Sequence, residues 1–188
     1  MRRLPLLFVL LVLATLARAA PFVIVPSYPT GEASFGASPA LTMICGRFVM
    51  PMTIIGATKL AANVTTGYGV GKKVGMAIYP DNDGASAVAS AGNIAADVAQ
   101  IVTATGLTAF DLTGGVTYRD CWCATSAAGT FANPHWETNG VGILLNSFVV
   151  KIGTAANACD ANATPPASTG VLSANAAFAP PFLVVSSE

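Results

Sequence analysis

Apolar and polar side chains alternate along much of the chain with a period of two, which is typical of half-buried β-strands. The clearest case is the segment Lys73–Tyr79, in which every second residue is a large apolar one. The other strands that the pattern predicts in the first two thirds of the chain are Leu41–Met50, Thr58–Thr66 and Val116–Ala124.

Sequences rich in glycine, proline, aspartate and asparagine separate these strands, as they do in turns. The predicted turns and loops are Gly67–Gly71, Pro80–Gly84, Gly114–Gly115 and Ser126–Gly140. Beyond them, Val141–Ile152 predicts a pair of strands and Pro181–Ser187 a closing strand. About eight short strands with regularly spaced turns indicate one all-β domain, an antiparallel β-sandwich or β-barrel, of which we favour the sandwich.

The stretch 85–105 fits two interpretations. Four apolar residues share one face of a helix that Asn93 would cap, namely Ile94, Val98, Ile101 and Val102. The same residues also fit two short strands. We favour the strands, because Gly92 and Gly106 leave little room for a helix between them.

The N-terminus has the three parts of a secretory signal peptide. Arg2 and Arg3 precede the apolar run Leu4–Leu16, and small residues at 17 and 19 predict cleavage after Ala19 or one residue later. The apolar run is shorter than the roughly 20 residues that a membrane-spanning helix needs. We therefore expect a chain exported to the periplasm or the extracellular space, with no stable membrane span.

The segment 20–40 predicts an extended arm ahead of a β-sandwich domain at 41–188. Proline has no backbone N–H to donate within a sheet, so it occurs mainly at sheet edges and at the starts of strands. The segment contains four prolines, namely Pro21, Pro26, Pro29 and Pro39. The expected organisation is thus a signal peptide (1–19), a proline-rich arm (20–40) and one folded domain.

The charge balance excludes one class of partner. The chain has nine basic and nine acidic residues; removal of Arg2, Arg3 and Arg18 with the signal leaves six basic against nine acidic, a net charge of −3. No basic cluster is present, so we expect no nucleic-acid binding. Charged residues make up only 10% of the chain, which predicts a surface of small and neutral polar side chains.

Four cysteines in an exported chain predict two disulfides: Cys45, Cys121, Cys123 and Cys159. A bond between Cys121 and Cys123 is the least favourable, because residues i and i+2 of a strand lie about 6.6 Å apart. Cys45 and Cys159 should therefore each pair with one of the two. Both lie on the same face of their strand, so the choice between them stays open.

The sequence contains no convincing catalytic, cofactor or metal site. Gly67–Lys73 lacks the first glycine and the final Ser or Thr of a phosphate-binding loop, and Asp81–Gly84 lacks the later glutamate of a calcium loop. The single histidine, His135, has neither a Gly-x-Ser-x-Gly nucleophile motif nor a second zinc ligand in sequence. We expect neither enzymatic activity nor a cofactor.

Aromatic residues in loops offer one alternative function. Tyr68 and Trp136 lie in predicted loops and are candidates for stacking on a sugar ring, whereas Trp122 lies in the middle of a strand and suits the core. These residues favour a stand-alone carbohydrate-binding module as the second hypothesis, and a secreted hydrolase is a remote third.

Three pieces of the chain, in order, resemble a jelly-roll β-sandwich domain of phage virion and tail-appendage proteins and of related bacterial secreted proteins. The first is Lys73–Tyr79 with the turn that follows it; the second runs from Leu112 through Tyr118 to Cys121-Trp-Cys-Ala124. The third comprises Ile152–Ala158, Pro166–Leu172 and the closing Pro181–Val185.

The resemblance covers about residues 41–188. The chain differs from the family pattern in having a signal peptide and four cysteines, and in the separation of Tyr118 from Trp122. The resemblance implies a jelly-roll fold and a role in display, attachment or assembly, and it implies no catalytic residues. The sequence does not identify the partner, and a glycan and further copies of the chain are the two candidates that we consider.

Overall fold

The computed structural model of the chain describes residues 34–35, 39–50, 53–132, 151–153, 158–174 and 184–186. Every strand pairing within these ranges is antiparallel, and no helix occurs in them. The strands are β1 (Ser34–Phe35), β2 (Ile44–Val49), β3 (Ile54–Ala57), β4 (Lys59–Thr66), β5 (Lys73–Pro80), β6 (Ala89–Ala95), β7 (Gln100–Ala104), β8 (Phe110–Leu112), β9 (Thr117–Ala124), β10 (Thr130–Ala132), β11 (Lys151–Gly153), β12 (Leu172–Ala174) and β13 (Val184–Ser186).

The larger sheet has the order β12-β11-β2-β9-β5-β6. Its centre is β9, which pairs with β2 over six residues and with β5 over seven. β5 and β9 are almost wholly buried because both of their faces are covered.

The second sheet is built around β4, which pairs with β10 and β13 along one side and with β7 along the other. β1 continues this sheet beyond β10. A separate pair, β3 with β8, completes the described sheets.

One hydrophobic core joins these sheets. The buried residues Leu60 and Val64 of β4 belong to the same cluster as Met76 and Ile78 of β5 and Trp122 of β9. Because side chains of a strand alternate between its faces, the even-numbered positions of β5 and β9 point to this core.

A smaller cluster covers the opposite face of the larger sheet. It contains Tyr79, the four cysteines and Ala163, which belongs to the segment 158–170. Tyr79 Oη donates a hydrogen bond to the carbonyl oxygen of Pro166, 2.6 Å away. A Cβ at Gly75 would overlap the carbonyl oxygen of Ala163, so only glycine allows this segment to lie so close to β5.

The predicted strands at 41–50, 58–66, 73–79 and 116–124 are confirmed as β2, β4, β5 and β9. The choice of two strands over a helix within 85–105 is confirmed by β6 and β7. Asn93 caps no helix; it lies within β6 with a positive φ of 57°, and its N–H donates to the carbonyl oxygen of Asn162.

Three expectations about the strands need correction. The loop predicted at 126–140 contains β10, which β4 and β1 hold by backbone pairing. The short strands β3 and β8 were not expected, and with them the described strands number thirteen rather than about eight. Strands of three or four residues are too short to show a period in sequence.

Several expectations lie outside the described residues. They are the signal peptide at 1–19, most of the arm at 20–40, His135, Trp136 and the larger part of the strand pair at 141–152. Of the closing strand at 181–187, the described part is β13. No helix in the described ranges is long and apolar enough to cross a membrane.

Candidate functional site

Tyr68 lies in the core rather than on the surface. Its side chain is only 1% exposed, and its hydroxyl accepts a hydrogen bond from Trp122 Nε1 at 3.1 Å. A Cβ at Gly129 would overlap the tyrosine ring, so the backbone at 129 closes over it. The expectation that Tyr68 offers a ring for sugar stacking is therefore wrong for this structure, because neither face of the ring is open to a ligand.

The cysteines form two disulfides, one between Cys45 and Cys121 and one between Cys123 and Cys159. The first joins directly opposed residues of β2 and β9, whose Cα atoms are 4.1 Å apart. The second joins β9 to the segment 158–170. The prediction that Cys45 and Cys159 each pair with one of Cys121 and Cys123 is thus confirmed. The structure also resolves which pairs with which, a choice that the sequence left open. Two disulfides are typical of proteins in an oxidising, extracytoplasmic environment.

The turn after β5 carries a charge network instead of a cation site. Arg119 Nε donates to Asp81 Oδ1 at 2.8 Å, and Arg119 Nη1 donates to Asp83 Oδ1 at 2.8 Å. Arg47 Nη2 donates to the other oxygen of Asp81. The carboxylates that resembled a calcium loop are thus neutralised by two guanidinium groups. No cluster of three or more metal-ligating side chains occurs among the described residues.

Asp120 is an acidic residue inside the protein. Its position on β9 places its side chain on the core face, between those of Tyr118 and Trp122 and opposite Gly46. One carboxyl oxygen, Oδ1, has no hydrogen-bond partner. Burial raises the pKa of Asp120 to about 7, although the backbone N–H groups of Asp120 and Gly46 lower it in part.

The surface with the clearest capacity for interaction is one edge of the second sheet, formed by β7. This strand pairs with β4 through five successive residues, from Gln100 opposite Val64 to Ala104 opposite Leu60. Within the described ranges β7 pairs with no other strand. Val102 and Ala104 point to the core, whereas Ile101 and Thr103 are exposed. We call Gln100–Ala104 the β7 edge.

Two loops lie next to the start of the β7 edge. Gly71 N donates to Asp97 Oδ1 at 3.0 Å, and Tyr68 N donates to the carbonyl oxygen of Ala96 at 2.8 Å, so the loops 67–72 and 96–99 are tied together. Each presents an exposed valine, Val70 at 92% and Val98 at 62% exposure. Gly69 and Gly71 have positive φ, which allows the tight connection between β4 and β5 that had resembled a phosphate loop.

Sequence reasoning placed Val98 and Ile101 on an apolar face and did not identify either as exposed. Ile101 is in fact 72% exposed, because β7 has no strand on its outer side among the described residues and its second face points away from the core. No sequence signal predicted this exposure: no charged residue occurs between Asp97 and Asp111, whereas solvent-exposed edges usually carry charged side chains.

Comparisons of the chain with protein-family models, with curated proteins and with solved structures found no match.

Proposed function

We propose that this chain is a secreted, non-enzymatic β-sheet protein that serves in display, attachment or assembly. The observation that carries the proposal is the β7 edge, an uncharged and solvent-exposed strand with the apolar side chain of Ile101 on its surface. Exposed apolar side chains on an open sheet edge favour contact with another molecule.

The resemblance to jelly-roll domains of phage virion and tail-appendage proteins supports the same role. Its first piece corresponds to β5 and the turn at 81–84, and its second to β8 and β9. Its third corresponds to β11, the segment 158–170 and β13. We propose a jelly-roll type of β-sandwich on this basis, with the two principal sheets on either side of the shared core.

The covalent and ionic ties suit a protein that works outside the cell. On the outer face of the larger sheet, one disulfide and the network of Arg47, Asp81, Arg119 and Asp83 join parts of the sheet and its turn. The other disulfide fastens the segment 158–170 to this face. These ties leave the β7 edge, which belongs to the other sheet, free of covalent constraint. This arrangement supports a role in which the larger sheet is rigid and the β7 edge is available for contact with another molecule.

The proposal is tested with the mature chain, starting at residue 20 and purified with its disulfides intact. Light scattering measures its size distribution, and flow cytometry measures binding of the labelled protein to the cells that produce it. We expect association with itself or with the cell surface. A strictly monomeric protein that binds no cell surface and no glycan would contradict the proposal.

The alternative function, carbohydrate binding, now depends on Trp136, because the ring of Tyr68 is buried. Trp136 lies outside the described residues. A glycan array with the wild-type chain and with Trp136→Ala separates it from the proposal. Sugar binding that disappears with this substitution would favour the alternative, and absence of any sugar signal from the wild type would end it.

A further inference from the structure

The outer side of the β7 edge carries backbone groups that need partners. In an antiparallel ladder, alternate residues direct their N–H and C=O groups to one neighbour, so those that do not face β4 point outward. Among the described residues no strand receives them. Within the part of the chain that the structure describes, these groups are therefore open to water or to another extended strand.

The β7 edge lacks the features that usually prevent edge-to-edge pairing. Natural edges are protected by lysine, proline, bulges or very short strands. From Val98 to Phe110 the chain contains neither a charged residue nor a proline. The five pairs of β7 with β4 run without a shift in register, so no bulge twists the edge away.

We infer that the β7 edge pairs with the β7 edge of a second copy of this chain, forming an antiparallel dimer. The inference rests on the proposed function and names the partner for its assembly role. Two identical edges related by a two-fold axis are self-complementary, since every outward donor of one meets an acceptor of the other. Because no charged residue occurs from Val98 to Phe110, no like charges on the two edges oppose each other in the pair.

A two-fold axis through Val102, the middle residue of the edge, pairs all five residues of both copies. With Val102 of both copies on the axis, Ile101 of each copy lies opposite Thr103 of the other, and Gln100 lies opposite Ala104. Both Ile101 and Thr103 are exposed on the same face of the strand, so their side chains come together across the new ladder. The five-residue edge makes a small interface, and small interfaces of this kind form weak, reversible dimers.

The test measures sedimentation of the disulfide-bonded mature chain over roughly the micromolar to millimolar range that separates weak dimers from monomers. We expect the wild type to show a concentration-dependent dimer. Ile101→Lys combined with Thr103→Lys places lysines opposite each other in the pair, and it should weaken the dimer at least about tenfold. Ile55→Lys is the matched control, because Ile55 is 76% exposed on β3, outside the sheet that contains β7.

A charge-reversal experiment keeps the test independent of any loss of folding. Ile101→Glu combined with Thr103→Glu should also give a monomer. An equimolar mixture of the lysine and glutamate double variants should form heterodimers, since each pair then joins opposite charges. Circular dichroism and a thermal melt of each variant confirm that it remains folded.

Three results would overturn the inference: a wild type that is monomeric throughout the range, a dimer insensitive to the double substitution, or equal dissociation by Ile55→Lys. If the wild type is monomeric but binds the cell surface, the β7 pairing fails while the attachment role stands. If neither association nor binding occurs, the proposed function fails as well.

Discussion

Cys123, on the central strand β9, is bonded to Cys159, which lies near the start of the segment 158–170. This segment covers the outer face of β5 with few strand pairings of its own, its contacts being isolated bridges, backbone hydrogen bonds and the packing of Ala163. Cys45 and Cys121, by contrast, lie on strands that six consecutive residue pairs already join. The two disulfides therefore stabilise different parts of the structure. The Cys123–Cys159 bond holds the segment 158–170, and the Cys45–Cys121 bond strengthens the larger sheet.

We predict that the two disulfides contribute similar amounts to global stability but differ in their local effect. The chain-entropy model gives about 4.5 kcal/mol for closing the loop of sequence separation 76 and about 4 kcal/mol for that of 36. Alanine substitution of Cys123 and Cys159 should in addition open the segment 158–170. Hydrogen exchange at 158–170 and urea denaturation measure the two effects.

The matched control is alanine substitution of Cys45 and Cys121, which should lower the unfolding free energy without raising hydrogen exchange at 158–170. Equal exchange in the two double variants would contradict the assignment. Thiol counting in denaturant should find no free cysteine in the oxidised wild type, and two or more free thiols would show that the pairing is wrong.

Arg119 should be the most sensitive member of the charge network. Its side chain is only 4% exposed and binds both Asp81 and Asp83. Arg119→Met removes the buried cation and leaves the carboxylate of Asp81 with Arg47 as its remaining partner. Removing one member of a buried ion pair costs about 3–5 kcal/mol, and we expect a loss of that order in chemical denaturation.

Arg47→Met is the comparison, since the side chain of Arg47 is partly exposed and contacts Asp81 alone in the network. Water replaces such a contact readily, so the expected loss is about 1 kcal/mol or less. A larger loss for Arg47→Met than for Arg119→Met would show that burial does not determine the strength of the network.

The hydroxyl of Tyr68 should matter for stability rather than for ligand binding. Tyr68→Phe removes the acceptor of the Trp122 Nε1 hydrogen bond and leaves a buried donor without it. The expected loss in unfolding free energy is about 1–3 kcal/mol, measured by urea denaturation. Tyr118→Phe is the control: Tyr118 Oη accepts from Thr113 N, which belongs to an exposed residue that water can reach, so its loss should be smaller.

The strands that were predicted from sequence are those with enough residues to show a period. β4, β5 and β9 have eight residues each, and alternation or apolar content identifies them. β10 has three residues and exists because β1 and β4 pair with it, a relationship between distant segments that local pattern does not contain.

The positions of Tyr68 and Ile101 were missed for the same reason. Tyr68 lies in a glycine-rich loop, and loops are usually exposed, but the absence of a side chain at Gly129 lets the ring enter the core. Ile101 belongs to an alternating strand, but its exposure depends on which strands flank β7. The solvent exposure of both residues is determined by the sheet topology, which the sequence pattern does not contain. For the cysteines, by contrast, the spacing of residues along a strand was enough to disfavour a bond between Cys121 and Cys123.

The buried carboxyl of Asp120 should contribute more to the stability of the fold in acid than at neutral pH. Burial raises the pKa of Asp120 in the folded state to about 7, from an ordinary value of 3.8. The folded state therefore holds a proton that the unfolded state releases between these two values. The stabilisation is fully present below pH 3.8 and is lost as the pH rises through 7.

We expect the unfolding free energy contributed by this residue to decrease from pH 4 to pH 8, with a slope of at most about 1.4 kcal/mol per pH unit for one proton. Asp120→Asn keeps the shape of the side chain and removes its titration, so the difference in unfolding free energy between wild type and variant should depend on pH within this window.

The exposed Asp160 has the opposite effect on stability, because hydrogen bonds from Thr164 and Asn162 lower its pKa and its stabilisation is lost on acidification. Urea denaturation at a series of pH values for wild type, Asp120→Asn and Asp160→Asn separates the two contributions. If the difference between wild type and Asp120→Asn stays constant from pH 4 to pH 8, Asp120 does not titrate in the folded protein over that range, and its carboxyl is not the source of any pH dependence.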